Sequence, residues 1–156
     1  MIKLSFEKMT PETFDGLVKD IENARVLEAV VKEHKGVVFA LYDGEKYTAA
    51  SAMMFEMNDE LLTEALRKLY LSGLYLSDKA EQGHDRMMLE YTVDQASYMG
   101  YDLLTARVAL NDMDKIKFYT SHGFDKIVRA DCDEDGEHLI LQRDIKIKIK
   151  CCGFYR

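Results

Sequence analysis

Proline is almost absent: Pro11 is the only one in 156 residues. No low-complexity stretch or internal repeat accompanies it, so no linker divides the chain, and the length fits one domain. Cysteine is scarce as well. Cys132, Cys151 and Cys152 are odd in number and two are adjacent, which is no disulfide framework, and no C-x-x-C spacing offers a metal or redox pair. Reduced thiols and a cytoplasmic location are the expectation. The ending Cys151-Cys152-Gly153-Phe154-Tyr155-Arg156 is no prenylation box. Apolar runs stay well below the ~20 residues that span a bilayer, and the opening Met1 to Glu7 has no secretory apolar core. Positive charge is in deficit: 21 Lys and Arg face 28 Asp and Glu, a net −7. A dispersed negative balance argues against nucleic acid or an anionic membrane as partner. His34, His84, His122 and His138 form no H-x-x-x-H pair, so no metal site is expected.

What is present is a globular composition, 47% hydrophobic and 31% charged. A chain this long buries roughly 68–70% of its unfolded surface, enough for one core without staples. Residues 2–8 alternate as a strand does. Thr10-Pro11-Glu12 opens a helix, with Thr as cap and Pro at the first helical position. A second short helix over 26–35 ends at Gly36. Residues 36–42 and 47–57 form a hairpin around Asp43-Gly44. Residues 58–68 read as a helix and 69–76 as a strand. The long helix 82–99 keeps Met88, Leu89, Thr92, Val93 and Ala96 on one face and closes at Gly100. A strand over 102–110, a helix over 112–122 closed by Gly123, and strands 124–130 and 137–143 follow. The turn Asp131 to Glu137 lacks a full cation-loop pattern. Ile145 to Lys150 alternates Ile and Lys like a guarded edge strand. The order predicts an α+β (mixed α/β) fold: a central mixed sheet of about seven strands flanked by helices. Residues 1–144 make the domain, and 145–156 a terminal strand and tail of it.

The chemistry-bearing stretch is the strand, loop and helix start Leu74-Tyr75-Leu76 to Gln82-Gly83-His84-Asp85-Arg86. A helix N-terminus exposes amides and partial positive charge, and so holds phosphate groups. Downstream come Met88-Leu89-Glu90-Tyr91, Ala96, Gly100-Tyr101, Asn111 and Phe118-Tyr119-x-x-x-Gly123-Phe124. Together these resemble the GNAT superfamily of acyl-CoA-dependent N-acyltransferases, in element order over roughly residues 1–144.

The resemblance implies splayed parallel central strands, with Leu74, Tyr75 and Leu76 bonding the pantetheine arm of acetyl-CoA. It implies a pyrophosphate loop of the form Arg/Gln-x-x-Gly-x-Gly/Ala, which in helix phase falls on Ala80, Gly83 and Asp85. Only Gly83 keeps that pattern. Gln82 offers another start, Lys79 and Arg86 supply charge, and His84 is a further loop contact. A carboxylate such as Asp85 at ~4 Å from a phosphate costs on the order of 4 kcal/mol at an effective dielectric of 20, against ~0.3–1 kcal/mol from the helix dipole. Turned away as a cap, Asp85 costs little. The family places Asn seven residues before its Tyr; here Asn111 stands eight before Tyr119 and Asp112 takes the seventh place. Tyr119 is the implied acid for the departing thiolate, since a thiol near pKa 8.5 and a phenol near 10 exchange a proton usefully. Glu56 is the implied base acting through water, and the Tyr75 strand the implied oxyanion donor.

Each residue also has a plain reading: Tyr119 as a packed aromatic, Gly83 as a loop glycine, Asn111 as a helix cap, Asp85 and Arg86 as solvated charges. Three functional readings therefore stand. The first is acetyl transfer from acetyl-CoA to a primary amine of a small molecule or peptide. The second is a non-catalytic GNAT-like domain that binds a ligand or partner. The third is a homodimer formed by strand addition at Ile145 to Lys150.

Overall fold

The computed structural model describes residues 3–55 and 68–145. Among these residues seven strands form one mixed sheet in the order β1-β2-β3-β4-β5-β7-β6. The strands are β1 Ser5–Lys8, β2 Gly36–Tyr42, β3 Tyr47–Met54, β4 Lys68–Leu76, β5 Leu103–Ala109, β6 Lys126–Asp133 and β7 Gly136–Asp144. Among the described residues four α-helices accompany them: α1 Phe14–Asp20, α2 Glu28–Lys32, α3 His84–Tyr98 and α4 Met113–Ser121. The chain divides into two compact units, Met1–Glu56 with Ser72–Asp94 and Met57–Leu71 with Gln95–Arg156.

In the first unit β1, β2 and β3 pair antiparallel. Apolar spacing decides what covers them. Phe14, Leu17, Ile21, Ala24, Leu27, Val30 and Val31 come from α1, a 3₁₀ turn over Glu22–Leu27 and α2. They pack in one core with Val38, Ala40, Ala50 and Ala52, whose small side chains let the helical layer approach the strands. The amphipathic face of α3 buries Met88 and Leu89. Its Thr92 hydroxyl donates to the Met88 carbonyl at 2.7 Å and lies 2.6 Å from Ser51 Oγ. Tyr91 stacks on Phe6 at 4.0 Å and meets Phe39 edge-on.

In the second unit β4 and β5 are parallel, registering Lys68–Leu71 with Leu103–Ala106. Antiparallel β5–β7 and β7–β6 pairs complete it. The Ile145 N–H donates to the Asp102 carbonyl at 2.8 Å, carrying the chain one bond past β7.

The expected fold class and the order of strands agree with this architecture; several boundaries do not. The first helix starts at Phe14 with Thr13 at its cap, and Thr10 and Pro11 form the turn before it. Thr10 still closes that turn, its carbonyl accepting the Thr13 and Phe14 amides. Gly36 ends no helix: α2 stops at Lys32 and Gly36 opens β2. A Cβ there would sit 2.0 Å from the Met53 carbonyl oxygen, so close strand approach is what requires glycine. Lys68 belongs to β4; the expected helix over 58–67, with Glu56, lies outside the described residues, as does the tail after Ile145.

Candidate functional site

Leu74, Tyr75 and Leu76 end β4 in the first unit. The next residue is tied to β3, the Ser77 amide donating to the Thr48 carbonyl at 2.9 Å. Ser77 then closes a turn, its carbonyl taking the Ala80 amide and its hydroxyl the Lys79 amide. His84 is buried at 4% exposure. Its Nδ1 accepts the Glu81 amide at 3.4 Å, while the Glu81 carbonyl takes the His84 amide at 3.2 Å. These bonds fold the loop onto its own helix start. Gly83 has φ +93°, the left-handed conformation that glycine adopts without strain, and its carbonyl accepts the first bond of α3 from Met87.

The amides of Gln82, Gly83 and Asp85 donate to no acceptor among the described residues. They stand at the positive end of a 15-residue helix, where an anion is favoured. Asp85 Oδ1 accepts the next amide, Arg86 N–H, at 2.7 Å. The carboxylate is thus turned onto its own helix end. A hollow of about 300 Å³ borders the loop, lined by Asp20, Glu22, Asn23, Leu76, Ser77 and Asp78. Ser72, the first β4 residue past the segment registered with β5, buries a hydroxyl with no partner among the described residues, which sequence reasoning had no signal to find.

In the second unit the Phe118-Tyr119-x-x-x-Gly123-Phe124 motif has a direct physical meaning. Gly123 has φ +94°, and the Tyr119 carbonyl receives the His122 amide at 3.1 Å and the Phe124 amide at 3.0 Å. This is a Schellman cap, with glycine just past the helix and the following residue bonding back into its last turn. The cap brings its usual apolar partners together: the Phe124 ring meets Tyr119 edge-on at 5.3 Å. Phe118 flanks Tyr119 from the other side of the sequence at 5.5 Å and is itself held by His122. Tyr119 is 6% exposed. At the other end of α4, Asp112 is the cap, its carboxylate accepting the Lys115 amide at 3.1 Å. The capping alternative read for Asn111 is corrected by this bond; Asn111 is exposed beside the β6–β7 turn, in a shallow hollow with Leu110, Asp135, Gly136 and Glu137. Asp112 occupies the place seven before Tyr119, where the resemblance implies Asn.

Elsewhere in this unit Arg107 bridges Asp131 at 3.0 Å and Asp133 at 2.6 Å. Hydrogen bonds from that guanidinium, and one from the Asp135 amide, hold the Asp133 carboxyl below its ordinary pKa. In the first unit, burial and a 3.0 Å hydrogen bond to Glu7 push the Tyr47 phenol up to about 12. Among the described residues, no group of three His, Cys, Asp or Glu is placed to hold a metal ion, and no helix is long and apolar enough to cross a membrane.

Solved acetyltransferases share this architecture. The ribosomal-protein-S18-alanine N-acetyltransferase of Escherichia coli superposes with a TM-score of 0.71, covering 99% of this chain and 100% of its own at 16% identity. This is the GNAT fold. A GNAT family acetyltransferase from Elizabethkingia anophelis, solved with acetyl-CoA bound, matches at TM-score 0.65 and 11% identity, covering 91% of this chain and 98% of that one. An N-acetyltransferase from Staphylococcus aureus Mu50 matches at 0.72 and 13% identity, with 91% and 97% covered. No family model and no curated protein matches the sequence. The GNAT fold here carries the parallel β4–β5 pair, the β4–α3 loop and the capped α4 in the expected chain order.

Proposed function

We propose that the protein is an acyl-CoA-dependent N-acetyltransferase acting on a primary amine of a small molecule or peptide. The observation that carries this reading is the α3 N-terminus. Three amides there, of Gln82, Gly83 and Asp85, have no acceptor among the described residues and follow directly on the central parallel strand of a GNAT fold. They suit a pyrophosphate, with Arg86 and Lys79 supplying charge. The β4 backbone at Leu74, Tyr75 and Leu76 takes the pantetheine amides. The amine attacks the thioester carbonyl, the C–N bond forms, and the C–S bond breaks. Tyr119 gives its phenolic proton to the departing thiolate, and the amine loses one proton to solvent through a base. Glu56 remains the proposed base, and a Tyr75 backbone amide the oxyanion donor. Asn111 would meet the cofactor only from its exposed position at the start of α4.

A second reading, ligand binding without transfer, is favoured by Asp85. Its carboxylate already takes the Arg86 amide, one of the donors at the α3 N-terminus that a phosphate would use. Calorimetric titration with acetyl-CoA, followed by thiol release in the presence of polyamines, amino acids and peptides, separates the readings. Heat and amine-dependent thiol release are expected. Absence of heat at millimolar acetyl-CoA removes the enzyme; heat without thiol release for any amine leaves the binding domain.

A further inference from the structure

The C-terminal end of α4 is held by a residue from another element. Arg143, on β7, donates from Nη1 to the His122 carbonyl at 2.7 Å. His122 is the C-cap of α4, so its carbonyl is among the orphan acceptors at the negative end of the helix. A guanidinium there gains both a charge-assisted bond and the dipole interaction. The same side chain lies against the backbone of Gly123. A Cβ at 123 would come within 3.0 Å of Arg143 Cδ and Nε and 3.2 Å of Cζ. The φ of +94° favours glycine at this position, and a Cβ added there would also press on the Arg143 side chain lying over it.

Tyr119 is at the other end of this short chain of contacts. Its carbonyl receives the amides of His122 and Phe124, the residues on either side of Gly123. Its ring packs against Phe124, which the cap positions, and against Phe118, whose carbonyl lies 2.6 Å from His122 Nδ1. The 122–124 segment is therefore joined to two rings that pack on Tyr119, Phe124 directly and Phe118 through His122. We infer that Arg143 is a positioning residue for Tyr119: it locks the helix cap, and the cap sets where the phenol points. The inference rests on the acyl-transfer reading only for its kinetic consequence; the effect on the ring is independent of it. Arginine is specified over lysine because its planar group both bonds the carbonyl and lies flat over the glycine.

The test compares Arg143→Gln, Arg143→Lys, Tyr119→Phe and the double variant with the parent. In the parent, kcat is expected to fall about five- to twentyfold on Arg143→Gln, with the KM for acetyl-CoA within about twofold, and Arg143→Lys is expected to recover part of the loss. Combined with Tyr119→Phe, Arg143→Gln is expected to cost nothing further, because the group it positions has lost its proton. A merely stabilising Arg143 would lower activity equally in both backgrounds, and that result overturns the inference. The ring is also read directly, by the ¹³Cζ resonance of labelled Tyr119 in the ligand-free protein. A shift in Arg143→Gln that Arg143→Lys partly restores supports positioning; an unmoved resonance overturns it, with or without activity. If Tyr119→Phe leaves turnover intact, the assignment of Tyr119 as acid fails while the resonance still decides the role of Arg143. Should Arg143→Gln not fold, Arg143→Lys carries both readouts, with smaller shifts of the same sign.

Discussion

Two helix ends carry the candidate chemistry, and they are built in opposite ways. At the end of α4, the carbonyls of Tyr119 and His122 find partners in His122, Phe124 and Arg143. At the start of α3, the amides of Gln82, Gly83 and Asp85 find none among the described residues, and a carboxylate from Asp85 turns back onto the next. A closed end serves stability and fixes side chains. An end with unfilled donors is where a ligand gains most, because the helix has left its hydrogen-bonding capacity unspent. Each end also holds one glycine at positive φ, +94° at Gly123 and +93° at Gly83. Their surroundings differ: a Cβ at 123 meets Arg143 at 3.0 Å, while a Cβ at 83 meets nothing within 4 Å.

That difference predicts the largest effect. Gly123→Ala adds the left-handed penalty of about 1–2 kcal/mol to displacement of Arg143, so a loss of about 2 kcal/mol or more in urea-monitored stability is expected. Gly83→Ala bears the backbone penalty alone and is expected to lose about 1 kcal/mol. Equal losses would break the contrast, showing that Arg143 yields without cost. Next in size is Tyr119→Phe, expected to lower turnover about tenfold or more while acetyl-CoA affinity stays level. The closed end would then set rate and the open end binding; a change in affinity without a change in rate reverses that assignment.

How legible each end was follows from the same contrast. The α4 cap is a matter of backbone geometry, and geometry leaves a sequence signature: glycine where φ is positive, an aromatic before and after it. Phe118-Tyr119-x-x-x-Gly123-Phe124 could therefore be read directly, as could the turn Asp43-Gly44 and the closing Gly100, which has φ +87°. The partner that locks the cap could not. Arg143 reaches His122 from a strand 21 residues away in sequence, and nothing in its neighbours marks it. At the α3 end the glycine was legible, but the direction of Asp85 was not, because one carboxylate rotamer blocks a phosphate and another caps an amide. Gly36 was read as a helix stop because nothing local distinguishes a C-terminal glycine from one forced by the Met53 carbonyl across the sheet. Asn111 and Asp112 compete for the same cap, and only the Lys115 amide decides between them.

A smaller effect tests the open end by itself. Asp85→Asn removes the charge while keeping an oxygen for the Arg86 amide, so acetyl-CoA is expected to bind roughly three- to tenfold more tightly, which is up to about 1.4 kcal/mol. Calorimetry at low salt reads it most sharply, since screening weakens exposed charges. Weaker binding would show that Asp85 serves the native ligand and that its turn onto Arg86 belongs to the site.

The smallest effects lie at the two limits of pH, one in each unit. Tyr47 ionises near 12 in the folded chain against an ordinary 10.0. The folded state holds this proton more firmly, so its contribution is complete below pH 10 and is lost as pH rises towards 12. Asp133 is shifted the other way, below its ordinary 3.8 by Arg107. Its contribution is complete above that value and is lost as pH falls through the lowered one. Tyr47→Phe is accordingly expected to flatten the alkaline fall in a melting-temperature profile and leave the acid limb alone, whereas Asp133→Asn does the reverse. If either variant flattens both limbs, the two groups are not titrating as separate local contacts, and burial with the Glu7 bond at Tyr47 and the Arg107 bond at Asp133 are not what sets their pKa values.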